Sequence, residues 1–353
     1  MRCPDCERLP PVEYPENRVL LGFATGFTRT KVARLAREHA LALEPLEDGD
    51  CLGFTASADQ LQRFCAALDP LLSREEQTHT RALLLPADVA PRMGDWLHTV
   101  TLRHLVARVR GRWLVDLVEH DRLFAMLQPI VGRDGTLYGH ESLLRGREAD
   151  GSLIGAGPLF DTAREADLLF NLDLVARRAG LQAAGRVRPS GGKVFINFNP
   201  SAIYDPTYCL RTTARFIQEI GLDPGDVVFE VIESAEVKDL DHLRNILAFY
   251  RKAGFRIALD DVGAGFAGLS LMQELRPDVV KIDMGLIRGV HADRYRQSIV
   301  GHLIPMIRDT GALSVAEGIE EEADRDWLLD RGIDLMQGYL LGRPFDPAQA
   351  GAA

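Results

Sequence analysis

Seven short apolar runs beyond Ala125 contain, or end in, a polar residue that strand packing does not ask for. They carry Glu141, Asn197, Glu230, the pair Asp260 and Asp261, Lys281 with Asp283, Glu317, and Gln337. Burying a charge in apolar surroundings is costly unless it is paired or bound to metal. Five carboxylates drawn together repel one another and take up protons unless cations neutralise them. Hard oxygen donors with no His or Cys among them suit Mg2+ or Mn2+ better than zinc or copper. The residue types point to divalent metal.

The adjacent aspartates sharpen this. Neighbours in a strand face opposite sides, so both reach one site only where the chain turns. Gly263 and Gly265 follow at once and permit such a turn. One carboxylate then bridges two ions while its neighbour binds the second. Paired ions of this kind sit about 3.5–4 Å apart and activate water for in-line attack on phosphorus. Singly, each residue has a bland explanation: Glu141 as a surface acid, Asn197 as a strand-edge amide, Lys281 as a side chain snorkelling to solvent or pairing with Asp283. Recurrence at strand after strand is the signal.

The elements that must hold these residues form a regular series. Apolar runs occur at Met126–Val131, Leu137–Leu144, Val194–Phe198, Val227–Ile232, Ile257–Asp261, Val279–Asp283, Leu313–Glu317 and Leu335–Tyr339. Gly132 to Thr136 is short enough for a hairpin, which makes the first strand antiparallel, while most later gaps hold a helix. Eight strands in about 230 residues predict a (β/α)8 barrel, whose strand ends converge on one mouth. A doubly wound open sheet is the alternative, but no Gly-rich phosphate fingerprint follows any strand.

Upstream, the rhythm differs. Arg18 to Phe23, Cys51 to Thr55 and Arg81 to Pro86 read as strands, Thr30 to Ala42 and Ala58 to Leu72 as helices. The region contains no cofactor motif and reads as a small α/β domain, regulatory or dimerising. Leu102, Leu105, Val106, Val109, Trp113 and Leu117 then recur at three- and four-residue steps, predicting a connecting helix over Trp96–Phe124 that Gly111 divides. The expected division is 1–90 for the small domain, 91–122 for the connector, 123–348 for the barrel and 349–353 as a tail.

Composition sets limits. The 353 residues are 46% hydrophobic and 26% charged, with a net charge of −10, so duplex nucleic acid is a poor partner. No run of eighteen apolar residues predicts a membrane span, and the first residues lack the apolar core of a secretory signal, so the expected setting is cytoplasmic. Five scattered cysteines argue against a disulfide framework. Cys3 and Cys6 make half a zinc site, with no second pair to complete it.

The motifs occur in a specific order. Gln128-Pro-Ile-Val131, Glu141-Ser-Leu-Leu-Arg145, Asn197, Glu230-Val-Ile-Glu233, Asp260-Asp-Val-Gly-Ala-Gly265, Lys281-Ile-Asp283, Glu317-Gly-Ile-Glu320 and Gln337-Gly-Tyr-Leu340 succeed one another. From about Arg112 to Pro347 the chain resembles the EAL family of cyclic di-GMP phosphodiesterases. The resemblance implies one ion on Glu141, Asn197, Glu230 and Asp260, and a second on Asp260, Asp261 and Glu317. It implies that Lys281 orients the attacking water, with Glu317 as an alternative base, and that Glu233 anchors the loop after Asp261. It implies substrate contacts from Gln128, Arg145, Asp283 and Gln337, a homodimer, and hydrolysis of cyclic di-GMP to linear pGpG. Some relatives are non-catalytic receptors, which stands as the alternative. The sequence departs from the family at Leu127, Ser142, Ile232, Val262 and Ala264; none is a ligand, so loop closure and dimer coupling are where the departures bear.

Overall fold

The computed structural model describes residues 13–44, 49–187, 192–199, 206–232, 240–265 and 268–349. The chain divides into two units, Met1–Arg122 with Gly157–Leu172, and Leu123–Ala156 with Asp173–Ala353. No described helix is long and apolar enough to cross a membrane.

In the first unit, β1 (Glu16–Gly22), β2 (Ala42–Glu44), β3 (Cys51–Ser57), β4 (Arg81–Pro86) and β5 (Val100–Thr101) form an antiparallel sheet in the order β2-β3-β1-β4-β5. Helices α1 (Gly26–Glu38), α2 (Ala58–Leu71), α3 (Arg74–His79), α4 (Leu102–Arg110) and α5 (Arg112–Glu119) accompany it. Val19 and Leu21, two apart on β1, share a buried core with Val32, Leu35, Phe54, Leu61, Phe64, Leu68, Leu105 and Val109. Helix starts follow from local chemistry: the Thr25 hydroxyl caps α1, and Ser57 and Gln60 form a reciprocal capping box on α2.

The helical stretch is shorter than the expected span of Trp96–Phe124, and it divides at Gly111 as expected. Trp96 lies in a single tight turn, Phe124 lies in a strand, and the helical stretch is two helices that break at Gly111. Periodicity found the apolar face but not its ends, because the three- and four-residue spacing does not mark where the helix stops. Leu102, Leu105, Val106 and Val109 join the core of the first unit.

The second unit is built on β6 (Leu123–Gly132), β7 (Leu137–Arg147), β8 (Leu153–Ile154), β9 (Lys193–Phe198), β10 (Val227–Ile232), β11 (Arg256–Val262), β12 (Val279–Ile282), β13 (Leu313–Ala316) and β14 (Leu335–Met336). Helix α6 (Ala156–Glu165) falls almost wholly in the first unit, and α7 (Leu169–Val187) passes into the second. Then follow α8 (Pro206–Ile220), α9 (Leu240–Lys252), α10 (Gly268–Leu275), α11 (Met284–Ile287), α12 (Arg294–Asp309) and α13 (Glu322–Arg331). The strands pair in the order β6-β14-β13-β12-β11-β10-β9-β7, and β6 also pairs with β7, which closes an eight-stranded barrel. β6 is antiparallel to both neighbours and the other barrel pairings are parallel, as the short Gly132–Thr136 link requires.

The barrel interior is layered. Ile130, Phe195, Val228, Ala258, Val279, Val315 and Leu335, one per strand, form a buried apolar cluster. Strand side chains alternate with period two. The next inward position on each of these strands is therefore Gln128, Asn197, Glu230, Asp260, Lys281, Glu317 and Gln337, with Glu141 joining from β7. An apolar plug carries a polar layer directly above it.

Candidate metal centre

The polar layer closes around one ammonium. Lys281 is fully buried, with Nζ 2.7 Å from Glu230 Oε1, 2.9 Å from Asp260 Oδ1, 2.6 Å from Glu317 Oε1 and 3.7 Å from Glu141 Oε1. Two triads of carboxylate oxygens each lie within 4.8 Å of one another: Glu141, Glu230 and Asp260, and then Asp260, Asp261 and Glu317. Asp260 belongs to both.

Asp261 reaches its triad because its own backbone turns. Its φ is 58°, in the left-handed region that few residues other than glycine adopt. The β11–β12 register shifts between Leu259 and Val262 at the same place. The turn falls at the aspartate pair, as the adjacency of the two acids predicts, and Gly263 follows with a φ of 105°. An aspartate tolerates this region better than most residues, because its short polar side chain bonds locally. The Asp261 backbone amide also donates to the Asp260 side chain, at 3.0 Å to Oδ1, which ties the two residues together.

Amides brace the acids. Gln337 Nε2 donates to Glu141 Oε2 at 2.6 Å and to Gln128 Oε1 at 3.2 Å, and Gln128 Nε2 donates to the Gly342 carbonyl at 3.2 Å. Asn197 Nδ2 reaches Glu141 Oε1 at 3.5 Å. Gln337 reaches Glu141 because the chain after β14 lies against the loop after β13. A Cβ on Gly338 would stand 2.0 Å from the Ile319 carbonyl oxygen, so only glycine fits. The resemblance implied Gln337's support, but the close packing at Gly338 was not read from the sequence.

The remaining candidates sit apart from the layer or beyond description. Arg145 donates from Nη1 to the Leu144 carbonyl at 2.8 Å and makes no hydrogen bond or ion pair with the acids among the described residues. Asp283 accepts from the Gly285 amide at 2.9 Å and caps α11, while its charge acts on Asp261. Glu233, Cys3 and Cys6, and the side chain of Ile232, lie outside the described residues.

The electrostatics describe a site short of positive charge. Burial, with the charges of Glu141 and Asp260 added, pushes the Glu230 carboxyl well above the usual carboxylate range despite Lys281. Burial does the same to Glu317, against the pull of Lys281. Asp261 is raised to about 6 by burial and by Asp260. Burial disfavours the Lys281 ammonium, but Asp260, Glu141, Glu230 and Glu317 outweigh it and hold that proton well above its ordinary value. Neither oxygen of Glu230 has a hydrogen-bond partner of adequate geometry. With all five carboxyls ionised, one ammonium would leave four negative charges, which two divalent ions would balance. The donor set is oxygen throughout and fits a pair of hard cations.

The EAL domain model matches residues 112–344. The cyclic di-GMP phosphodiesterase PdeF of Escherichia coli K12 is 30% identical over 233 residues, 65% of this chain but 31% of PdeF. The chain thus spans about a third of that relative. The standalone EAL protein of Vibrio cholerae O395, solved with c-di-GMP bound, is 33% identical over 64% of this chain and 93% of that one, with a TM-score of 0.57. Klebsiella pneumoniae BlrP1, solved as a manganese and cyclic di-GMP complex, shares the fold over 93% of this chain and 96% of its own, at 21% identity and a TM-score of 0.57. By the extent of the family match, this chain belongs to the EAL domain family.

Proposed function

We propose that the chain hydrolyses cyclic di-GMP to linear pGpG with two divalent cations, Mg2+ or Mn2+, held in the polar layer of the barrel. The observation that carries the reading is the pair of carboxylate triads sharing Asp260. Glu141, Asn197, Glu230 and Asp260 would hold one ion, and Asp260, Asp261 and Glu317 the other. When bound, the ions supply charge for the phosphodiester oxygens and a water acidic enough to attack phosphorus.

The chain's own groups do the rest. Lys281 Nζ, between Glu230, Asp260 and Glu317, orients the attacking water and keeps positive charge beside the phosphorus. Glu317, at the rim of the layer, is the candidate acceptor for the water's proton. Gln337 holds Glu141 in place by its 2.6 Å bond. Gln128, Arg145 and Asp283 contact the dinucleotide, where a guanidinium suits an anionic diester. One phosphorus–oxygen bond breaks, the water oxygen joins phosphorus, and the departing oxygen takes a proton.

The same reading makes residues 123–348 the catalytic domain and residues 1–90 its regulator, in a cytoplasmic homodimer. The likeness to BlrP1 over 93% of the chain supports a shared layout, and Tyr295 and Ile299, exposed one turn apart on α12, offer an apolar face for a second copy. The deciding experiment incubates purified protein and its Glu141→Ala variant with cyclic di-GMP, with and without Mg2+ or Mn2+, and reads pGpG by chromatography. Metal-dependent pGpG from the wild type alone is expected. Turnover by the variant would overturn the site, and binding without turnover would make the protein a receptor.

A further inference from the structure

A buried ion pair stands behind the wall of the barrel. Asp173 and Arg177, one turn apart on α7, are each 2% exposed, with Arg177 Nη2 2.9 Å from Asp173 Oδ2. Buried ion pairs are weak contributors to stability, since apolar residues of similar volume often serve as well or better. Packing alone gives no reason for these two charges.

Their other contacts do. Asp173 Oδ1 accepts from the backbone amide of Asn199 at 3.1 Å. Asn199 directly follows β9, two residues past Asn197. Arg177 Nη1 donates to the Tyr250 hydroxyl at 3.4 Å, and the guanidinium carbon lies 5.9 Å from the Phe198 ring centroid. Phe198 packs on Phe229 and Tyr250 at 5.6 Å and 5.2 Å between centroids. Phe198 and Phe229 are the outward-facing neighbours of Asn197 and Glu230, which are themselves register partners across β9 and β10. Inside the barrel, the hydrogen bond from Asn197 to Glu141 is long, at 3.5 Å. The firm hold on this strand end is on its outer side.

We infer that the Asp173–Arg177 pair positions Asn197 for metal binding, by fixing the end of β9 through the Asn199 amide and the Phe198 ring. The inference rests on the reading of Asn197 as a ligand. Neither residue touches the ions; both act through the strand, as outer partners of metal ligands do elsewhere.

The test is the double variant Asp173→Leu/Arg177→Met, which removes both charges together and keeps the volume filled. Its Mn2+ dissociation constant, by titration calorimetry, should rise about 10–100-fold. The Asn197 side-chain amide resonance should move in the metal-free protein, with the barrel still folded by circular dichroism. A lowered melting temperature with Mn2+ affinity and Asn197 resonance both unmoved would reduce the pair to packing. Should the variant not fold, wild-type amide exchange decides: Asn199 must be protected, and exchange at open-loop rates overturns the inference. Asn197→Ala runs as the control. If the wild type takes up no Mn2+, or the control takes it up equally well, the ligand reading fails. The Asn197 resonance of the double variant then decides the positioning by itself, moved in favour and unmoved against.

Discussion

On β1 of the N-terminal sheet the core-facing positions are Val19 and Leu21; on β10 of the barrel the axis-facing positions are Val228 and Glu230. Both strands alternate with the same period and both bury what they alternate. In the first, both of these inward residues add to one apolar core. In the second, the second inward residue is an acid under a lysine. Hydrophobic burial explains the first pattern from Val19 onward, since Asn17 before it is buried but hydrogen-bonded to the Tyr14 and Ala56 carbonyls, and the second only up to Val228. The polar layer costs folding free energy that packing does not return, and bound cations would compensate it.

The largest expected effect tests that contrast at its centre. Lys281→Met leaves the surrounding carboxylates buried without their cation. Losing one partner of a buried charge cluster costs about 3–5 kcal/mol, and hydrolysis should fall by about a thousandfold or more. Urea denaturation with and without Mn2+ reads the first, with metal restoring much of the loss, and pGpG formation reads the second. A metal-free variant as stable as the wild type would mean that the polar layer is no costlier than the apolar core of the N-terminal unit.

How much of this was legible depended on range. The eight runs, the antiparallel first strand and the polar residue two beyond each apolar one are local, and the sequence carried them. The φ of Asp261 was not local. A turn at the aspartate pair was legible, but not that Asp261 itself takes the left-handed region, a cost tolerated only where surroundings demand it. Strands β2 and β5, three and two residues long, are set by their partners and carry no pattern of their own. Asp173 and Arg177 read as an ordinary i, i+4 pair on a helix surface; only the fold shows that surface to be buried.

A smaller effect sharpens the contrast within the barrel wall. Ser142, where the family carries alanine, turns away from Glu141's side of β7, and its Oγ fills the space beside Gly180 on α7. A Cβ at Gly180 would come within 2.4 Å of that oxygen and 3.0 Å of the Ser142 Cβ. Gly180→Ala should cost about 1–3 kcal/mol by overpacking. Adding Ser142→Ala should recover part of it, since the shorter clash disappears and the longer remains. A double-mutant cycle with no coupling would show that the serine is not matched to the glycine.

Protonation gives the next step down. Burial and Asp260 raise Asp261 to about 6 in the metal-free fold, against an ordinary value of 3.8. The folded state therefore binds more protons than the unfolded one between these values. Stability from this group is full below the lower value and is lost as pH rises through about 6. Metal needs the carboxylate form, so Mn2+ affinity should climb as pH rises through about 6 and Asp261 ionises, with any proton held on Glu230 or Glu317 extending the climb. Calorimetric titrations from pH 5 to pH 8 would show this; a flat profile would remove Asp261 from the ligand set.

The smallest effect belongs to the N-terminal unit, where only helix chemistry is at stake. Ser57 Oγ accepts from the Gln60 amide at 3.3 Å, and Gln60 Oε1 accepts from the Ser57 amide at 3.0 Å. Ser57→Ala removes one half of the box and should cost about 1 kcal/mol. The loss should fall on the melting of the N-terminal sheet and leave Mn2+ affinity at the barrel unchanged, because no residue of the polar layer depends on that cap. If affinity falls with the cap, the two regions share a folding transition, and the apolar core would then help to carry the charged layer that it so little resembles.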